Sequence, residues 1–209
     1  MKKILLATAL LAASAVACGG SSNPITAVVG PQKAQDAAIQ PSEAKGLTKC
    51  DTSGNMDQTL ASLKKSDPSS YDSTLKEWNK LKAGGATDAY FAIYASDKST
   101  CSKLSAADSK PGAKVLGSLV VEFKDTTSAA TAYKGGAFGI EPGKAGSQGG
   151  KTGAATGLGP NSVSAYFNAS NFEFFIALWQ KDKWLSYVLT EGFNEADSTG
   201  VAKTVDARL

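Results

Sequence analysis

Three sets of residues in this chain of 209 have types and spacings that could do chemistry. Asp51-x-Ser53-x-Asn55-x-Asp57 puts four oxygen-bearing side chains at alternate positions, as a calcium loop does. Glycine stands at the fourth place of that run and Ser62 where a bidentate glutamate belongs, so a turn into an Asn55-capped helix is the expected use of these residues. Ala145 to Thr152 ends in Gly150-Lys151-Thr152, a pattern whose backbone N–H groups cradle phosphate when a strand precedes it and a helix follows. Ile140-Glu-Pro-Gly143 before it and the glycine-broken run to Pro160 after it supply neither, so a surface loop is expected and no nucleotide partner. Ten glycines fall between Gly135 and Pro160, and a loop of this length is often functional or disordered. The third set is three cysteines, Cys18, Cys50 and Cys101. No C-x-x-C occurs, so redox and zinc chemistry have no support.

The chain has no histidine. Ser-His-Asp and Cys-His catalysis, His-ligated metals and an imidazole pH switch are thereby excluded. Glu122, Glu173 and Glu191 lie on or beside expected strands, and two carboxylates facing each other would allow a histidine-free hydrolase of envelope polymers. The formal charge is +3, but Lys2 and Lys3 contribute two of the 22 basic residues against 19 acidic ones. So balanced a chain, with Arg208 as its one arginine, offers nucleic acid no electrostatic footprint. No cofactor and no metal site are expected.

Met1-Lys2-Lys3 leads into an apolar run from Ile4 to Val16 and a small-residue exit. That is the layout of a secretory signal peptide over residues 1–17, too short to span a membrane. Ala15-Val16-Ala17-Cys18 resembles the lipobox of bacterial lipoproteins, with Ala15 where leucine is usual. The resemblance implies that Cys18 is lipidated and becomes the mature N-terminus, anchoring an exported domain to a membrane. With Gly19 next, it implies the outer membrane or cell surface. The same three residues also suit an ordinary A-x-A cleavage that would leave Cys18 a bare thiol. Lipidation of Cys18 would leave Cys50 and Cys101 an even pair, expected as a disulfide in an exported protein.

These residues need elements to position them. Residues 18–46 have little apolar periodicity and are expected to be anchor and flexible tether, a short helix over Gln32–Ile39 being the alternative. Residues 47–209 are expected to form one α+β domain. Met56, Leu60 and Leu63, then Tyr71, Leu75, Trp78 and Leu81, give two N-terminal helices. Apolar runs over 89–95, 116–124, 163–168, 172–180 and 184–190 give an antiparallel sheet of about five strands with helices packed on it. Asp125 should cap a short helix to Tyr133, and Asn194 should open a C-terminal helix. Strand 172–180 is apolar at both parities, so it is expected either to be covered on both faces or to present a binding surface. Late aromatics, Tyr166, Trp179 and Trp184 among them, are the candidate groove for a small ligand or an envelope partner where the 135–160 loop meets the strands. The expected function is non-enzymatic binding by a membrane-anchored envelope protein; hydrolysis and a structural or assembly role are the alternatives.

Overall fold

The computed structural model describes residues 33–101, 112–169 and 172–209. The expected signal peptide and Cys18 lie outside them. The described elements are α1 (Ala34–Ala37), β1 (Thr48–Lys49), β2 (Gly54–Asn55), α2 (Met56–Ser66), α3 (Pro68–Ala83), β3 (Ala86–Ala95), α4 (Lys98–Cys101), β4 (Val115–Phe123), α5 (Thr126–Lys134), α6 (Pro142–Ala145), β5 (Lys151–Thr152), β6 (Ser162–Ala169), β7 (Phe172–Lys181), β8 (Trp184–Glu191) and α7 (Glu195–Asp206). They make an α+β fold on one antiparallel sheet in the order β1-β3-β4-β8-β7-β6-β5, with β2 also paired to β3.

Local chemistry places the helices. Asn55 accepts from the Gln58 N–H while the Gln58 side chain returns to the Asn55 N–H, a complete capping box at the start of α2. Asp67, Asp125 and Asn194 cap α3, α5 and α7 by accepting from the N–H of Ser70, Ser128 and Asp197, and Pro68 sits where its missing N–H costs α3 nothing. The Asp51–Asp57 run is therefore a turn and a cap. Ser53 Oγ also donates to the Ile93 carbonyl, which closes that turn onto β3.

The sheet alternates, and each parity has its own layer. Tyr94, Leu116, Val120, Phe175, Ala177, Trp179, Trp184 and Val188 pack under α1 and α7. Ala89, Leu119, Val121, Phe123, Leu178 and Leu185 pack under α2, α3 and α5. Both parities of β7 are apolar because helices cover both faces.

Three expectations need correction. The sheet has eight strands rather than about five, because three two-residue strands accompany the five long ones; a two-residue pairing has no periodicity to read. Residues 34–39 belong to the fold rather than to a tether, since Ala34, Ala37, Ala38 and Ile39 are fully buried. Alanines let α1 lie close on the sheet, and the Ile39 N–H donates to Ser118 Oγ at 2.9 Å. The third is the glycine-rich segment. It is folded, with α6, β5 and two 3-10 turns, and it buries Ala137, Thr156 and Leu158. A helix rather than a strand precedes Lys151, and the Lys151 ammonium pairs with Glu195 at 2.6 Å. The context of a phosphate loop is missing there.

Candidate functional site

The layer formed by α2 and α3 does not sit flush on the sheet. A cavity of about 600 Å³ separates them, within the range of small-molecule sites. Its floor is the sheet face carrying Ala89, Phe91, Leu119, Val121, Tyr187 and Leu189; its roof is Met56, Leu63, Trp78 and Leu81; Phe138 and Phe174 complete the lining. The gap follows from the sequence of the roof. Of the sixteen residues of α3 only Trp78 and Leu81 are buried, and the turn of α3 above the floor presents Ser70, Ser73 and Thr74. Short hydroxyl side chains do not fill the space that leucines would fill.

Several polar residues are among the lining of this apolar space. The Tyr187 hydroxyl is pushed up to about 12 by burial, so it stays a neutral donor. Thr52 is 8% exposed and its Oγ1 has no hydrogen-bond partner. Glu77 Oε1 is also buried without one. Lys80 stands 3.5 Å from that oxygen but donates its hydrogen bond to the Gly136 carbonyl at 2.9 Å. Glu191 lines the same space. Glu77 and Glu191 are the acids lining this space; elsewhere Glu122 pairs with Lys183 and Glu173 accepts from the Tyr166 hydroxyl.

Phe138 is held in an unusual way. Its φ is 54°, in the left-handed region that a bulky residue seldom adopts. With Gly139 at 77° it forms the centre of a tight turn closed by the Ala137–Ile140 bridge. That turn lays the Phe138 ring 5.6 Å from the Tyr187 ring. Strain of this kind gathers where surrounding structure fixes a side chain for use.

The residues expected from sequence fall elsewhere. Cys50 and Cys101 are joined as a disulfide, Cα to Cα 5.4 Å, tying the β1–β2 turn to α4. Trp179 and Trp184 are 0% and 2% exposed in the core beneath α1 and α7, on the face opposite the cavity. They are buried packing residues and do not line the cavity. Tyr166 packs against that same core. The parity of β7 and β8 decides this: Tyr187 faces the cavity, whereas Trp184, three residues earlier, faces away. The 135–160 segment reaches the cavity only through Phe138 and Gly139. Tyr187 belongs to the late aromatic cluster legible in the sequence, whereas Thr52, Glu77 and Phe138 do not; the row of small hydroxyls along α3 was the available signal.

Among the described residues no three of His, Cys, Asp or Glu are grouped to hold a metal, and no helix is long and apolar enough to cross a membrane. No family model and no curated protein sequence matches the chain. Among solved structures it is similar to the extracellular domain of PknH from Mycobacterium tuberculosis, with a TM-score of 0.47 and 11% identity over 83% of this chain and 93% of that one.

Proposed function

We propose that this is an exported, lipid-anchored envelope protein whose domain binds a small apolar ligand, without turnover, in the cavity between α2–α3 and the sheet. The cavity carries the reading. A domain that packs the other face of its sheet with two buried tryptophans leaves about 600 Å³ open on this one, lined by apolar walls with a few polar residues among them. The Cys50–Cys101 bridge supports an oxidising compartment, and the signal-like N-terminus ending in Cys18 supports a lipid anchor.

A neutral fluorescent probe, N-phenyl-1-naphthylamine, tests the cavity. Wild-type protein should bind it saturably. Leu119→Trp, which fills the floor, should weaken binding at least tenfold while the thermal melt stays cooperative; Ala89→Leu is the second filling variant. Undiminished binding in both folded variants would place the probe elsewhere and remove the proposal. Turnover of an envelope polymer that Glu77→Gln abolishes would favour the hydrolase instead. The anchor is tested separately. Cells expressing the full chain should incorporate labelled palmitate, and Cys18→Ala should lose the label and leave the membrane fraction. An unlabelled wild type rules the anchor out.

A further inference from the structure

We propose that the outer edge of β6, over residues 165–169, pairs with the same edge of a second copy of this chain, joining two sheets into one across a two-fold axis at Phe167. The proposal stands apart from the cavity reading. β5 is only Lys151–Thr152 and pairs with Ser164 and Val163, so it covers the first half of β6 and stops. The opposite margin of the sheet is better protected, since β1 and β2 both lie along β3. Backbone alternation shows which groups the second half of β6 leaves free. The Gln180 N–H donates to the Asn161 carbonyl, and the Gly192 N–H to the Glu173 carbonyl. Taken with the registers of β6, β7 and β8, both bonds put the odd-numbered residues of β6 in hydrogen-bonded pairs with β7. Tyr166 and Asn168 therefore direct their N–H and C=O groups away from β7, and among the described residues no strand lies beyond them.

Three features fit this edge to its own copy. Natural sheets blunt a free edge with lysine, proline or a bulge. Ala165-Tyr166-Phe167-Asn168-Ala169 has no charge and no proline, and β6 keeps an unbroken register with β7 over eight pairs. An uncharged strand meets no like-charge repulsion when it faces itself. The second feature is register. An antiparallel pair sets outward-pointing groups against outward-pointing groups, and a two-fold at Phe167 does so: Tyr166 meets Asn168 of the second copy twice, giving four backbone bonds. Ala165 then faces Ala169, and the five residues used are those that β5 leaves uncovered. An axis at Tyr166 would run the second strand into β5, and an axis at Asn168 would use only three residues. The third feature is Phe167 itself. At 48% it is the one large apolar side chain that is exposed among the described residues. Its ring lies 6.4 Å from that of Phe174, which stacks on Phe172 at 5.9 Å. On the axis Phe167 meets its own counterpart in a non-hydrogen-bonded pair, where side chains come closest. The aromatic row then runs unbroken from one sheet into the other. A five-residue contact is small beside the roughly 1,200–2,000 Å² of stable interfaces, so the dimer forms and parts with concentration.

The test is disulfide trapping in cells that export the full chain, read on non-reducing gels. Phe167→Cys should give at least tenfold more covalent dimer than Asn168→Cys, which is also exposed but faces Tyr166 of the second copy rather than itself. Ala165→Cys and Ala169→Cys should each stay monomeric alone and cross-link to one another when co-expressed, which fixes the register. Asn168→Pro added to Phe167→Cys should cut the dimer at least tenfold, because it removes an outward N–H that the ladder with β7 does not use. Asn168→Lys, which puts a charge on the edge, is the second blocking variant if proline unfolds the chain. A Phe167→Cys dimer no stronger than that of Asn168→Cys overturns the proposal, and so does one that survives a blocking substitution in folded protein. A Phe167→Cys adduct with a different protein in place of the dimer also overturns it, and would give the edge to an extended segment of that partner. None of these outcomes touches the cavity reading.

Discussion

Arg208 ties the residues just after α7 to the end of α1 and to Glu43. Its Nε donates to the Ala37 carbonyl at 3.1 Å and its Nη2 to the Ala38 carbonyl at 2.9 Å, while Nη1 and Nη2 grip the Glu43 carboxylate. One planar fork thus satisfies the carbonyls that end α1 and a carboxylate beyond them. The pair is partly exposed, 26% for the arginine side chain and 18% for the glutamate, which limits its worth. Arg208→Ala should lower stability by about 2 kcal/mol, read as a shift of the urea midpoint. Arg208→Lys should recover less than half, since an ammonium cannot reach both carbonyls and the carboxylate. Full recovery by lysine would show that charge, not the fork, does the holding. Nothing local announces this contact. The sequence places Arg208 near a helix C-terminus, where it suits the dipole, but its partners lie 171 residues away. Asn55 and Asn194 are the contrasting case. Their cap partners are three residues on, so the cap is legible from spacing alone.

At the scale of elements, the long pieces are legible because each carries its own period. The helices over 56–66, 68–83, 126–134 and 195–206, and the five long strands, stand within a few residues of where apolar spacing puts them. The short pieces are not. β1, β2 and β5 have two residues each, and α1 is one turn of alanine and polar residues whose burial is settled by the sheet it lies on. The cavity is illegible for the same reason, since it depends on which parity of β8 meets which helix. The disulfide belongs at this scale as well. Cys50 and Cys101 close a loop of 51 residues that contains β2, α2, α3 and β3, the roof of the cavity and one strand of its floor. In the chain-entropy account, closing that loop stabilises by about 4 kcal/mol. The Cys50→Ala, Cys101→Ala double variant should unfold at a correspondingly lower urea concentration, and an unchanged midpoint would show the bridge to be idle.

The whole molecule is asymmetric about its sheet. Beneath α1 and α7 the core is filled, and the hydroxyls there are largely used: Ser118 accepts from the Ile39 N–H, and Thr190 meets Ser198 at 2.6 Å. Among the described residues, Trp179 Nε1 and Ser186 Oγ, cross-strand neighbours, and Asp206 Oδ1 of α7 are the buried atoms on this face without a hydrogen-bond partner. Beneath α2 and α3 the space stays open. One face therefore sets stability and the other is available for a ligand, as expected where a rigid scaffold supports a site. The filled face also has an order of assembly written into it. α1 packs on β3 and β4 in the same core as Ala202 and Val205 of α7, and Arg208 closes on the carbonyls that end α1. A ribosome delivers Ala37 and Arg208 171 residues apart, and contacts so distant in sequence close late. Until α7 arrives, the β7–β8 face that it covers is apolar and has no helix over it. Any factor that escorts the nascent chain would find its simplest target there, in a stretch that the finished protein hides completely.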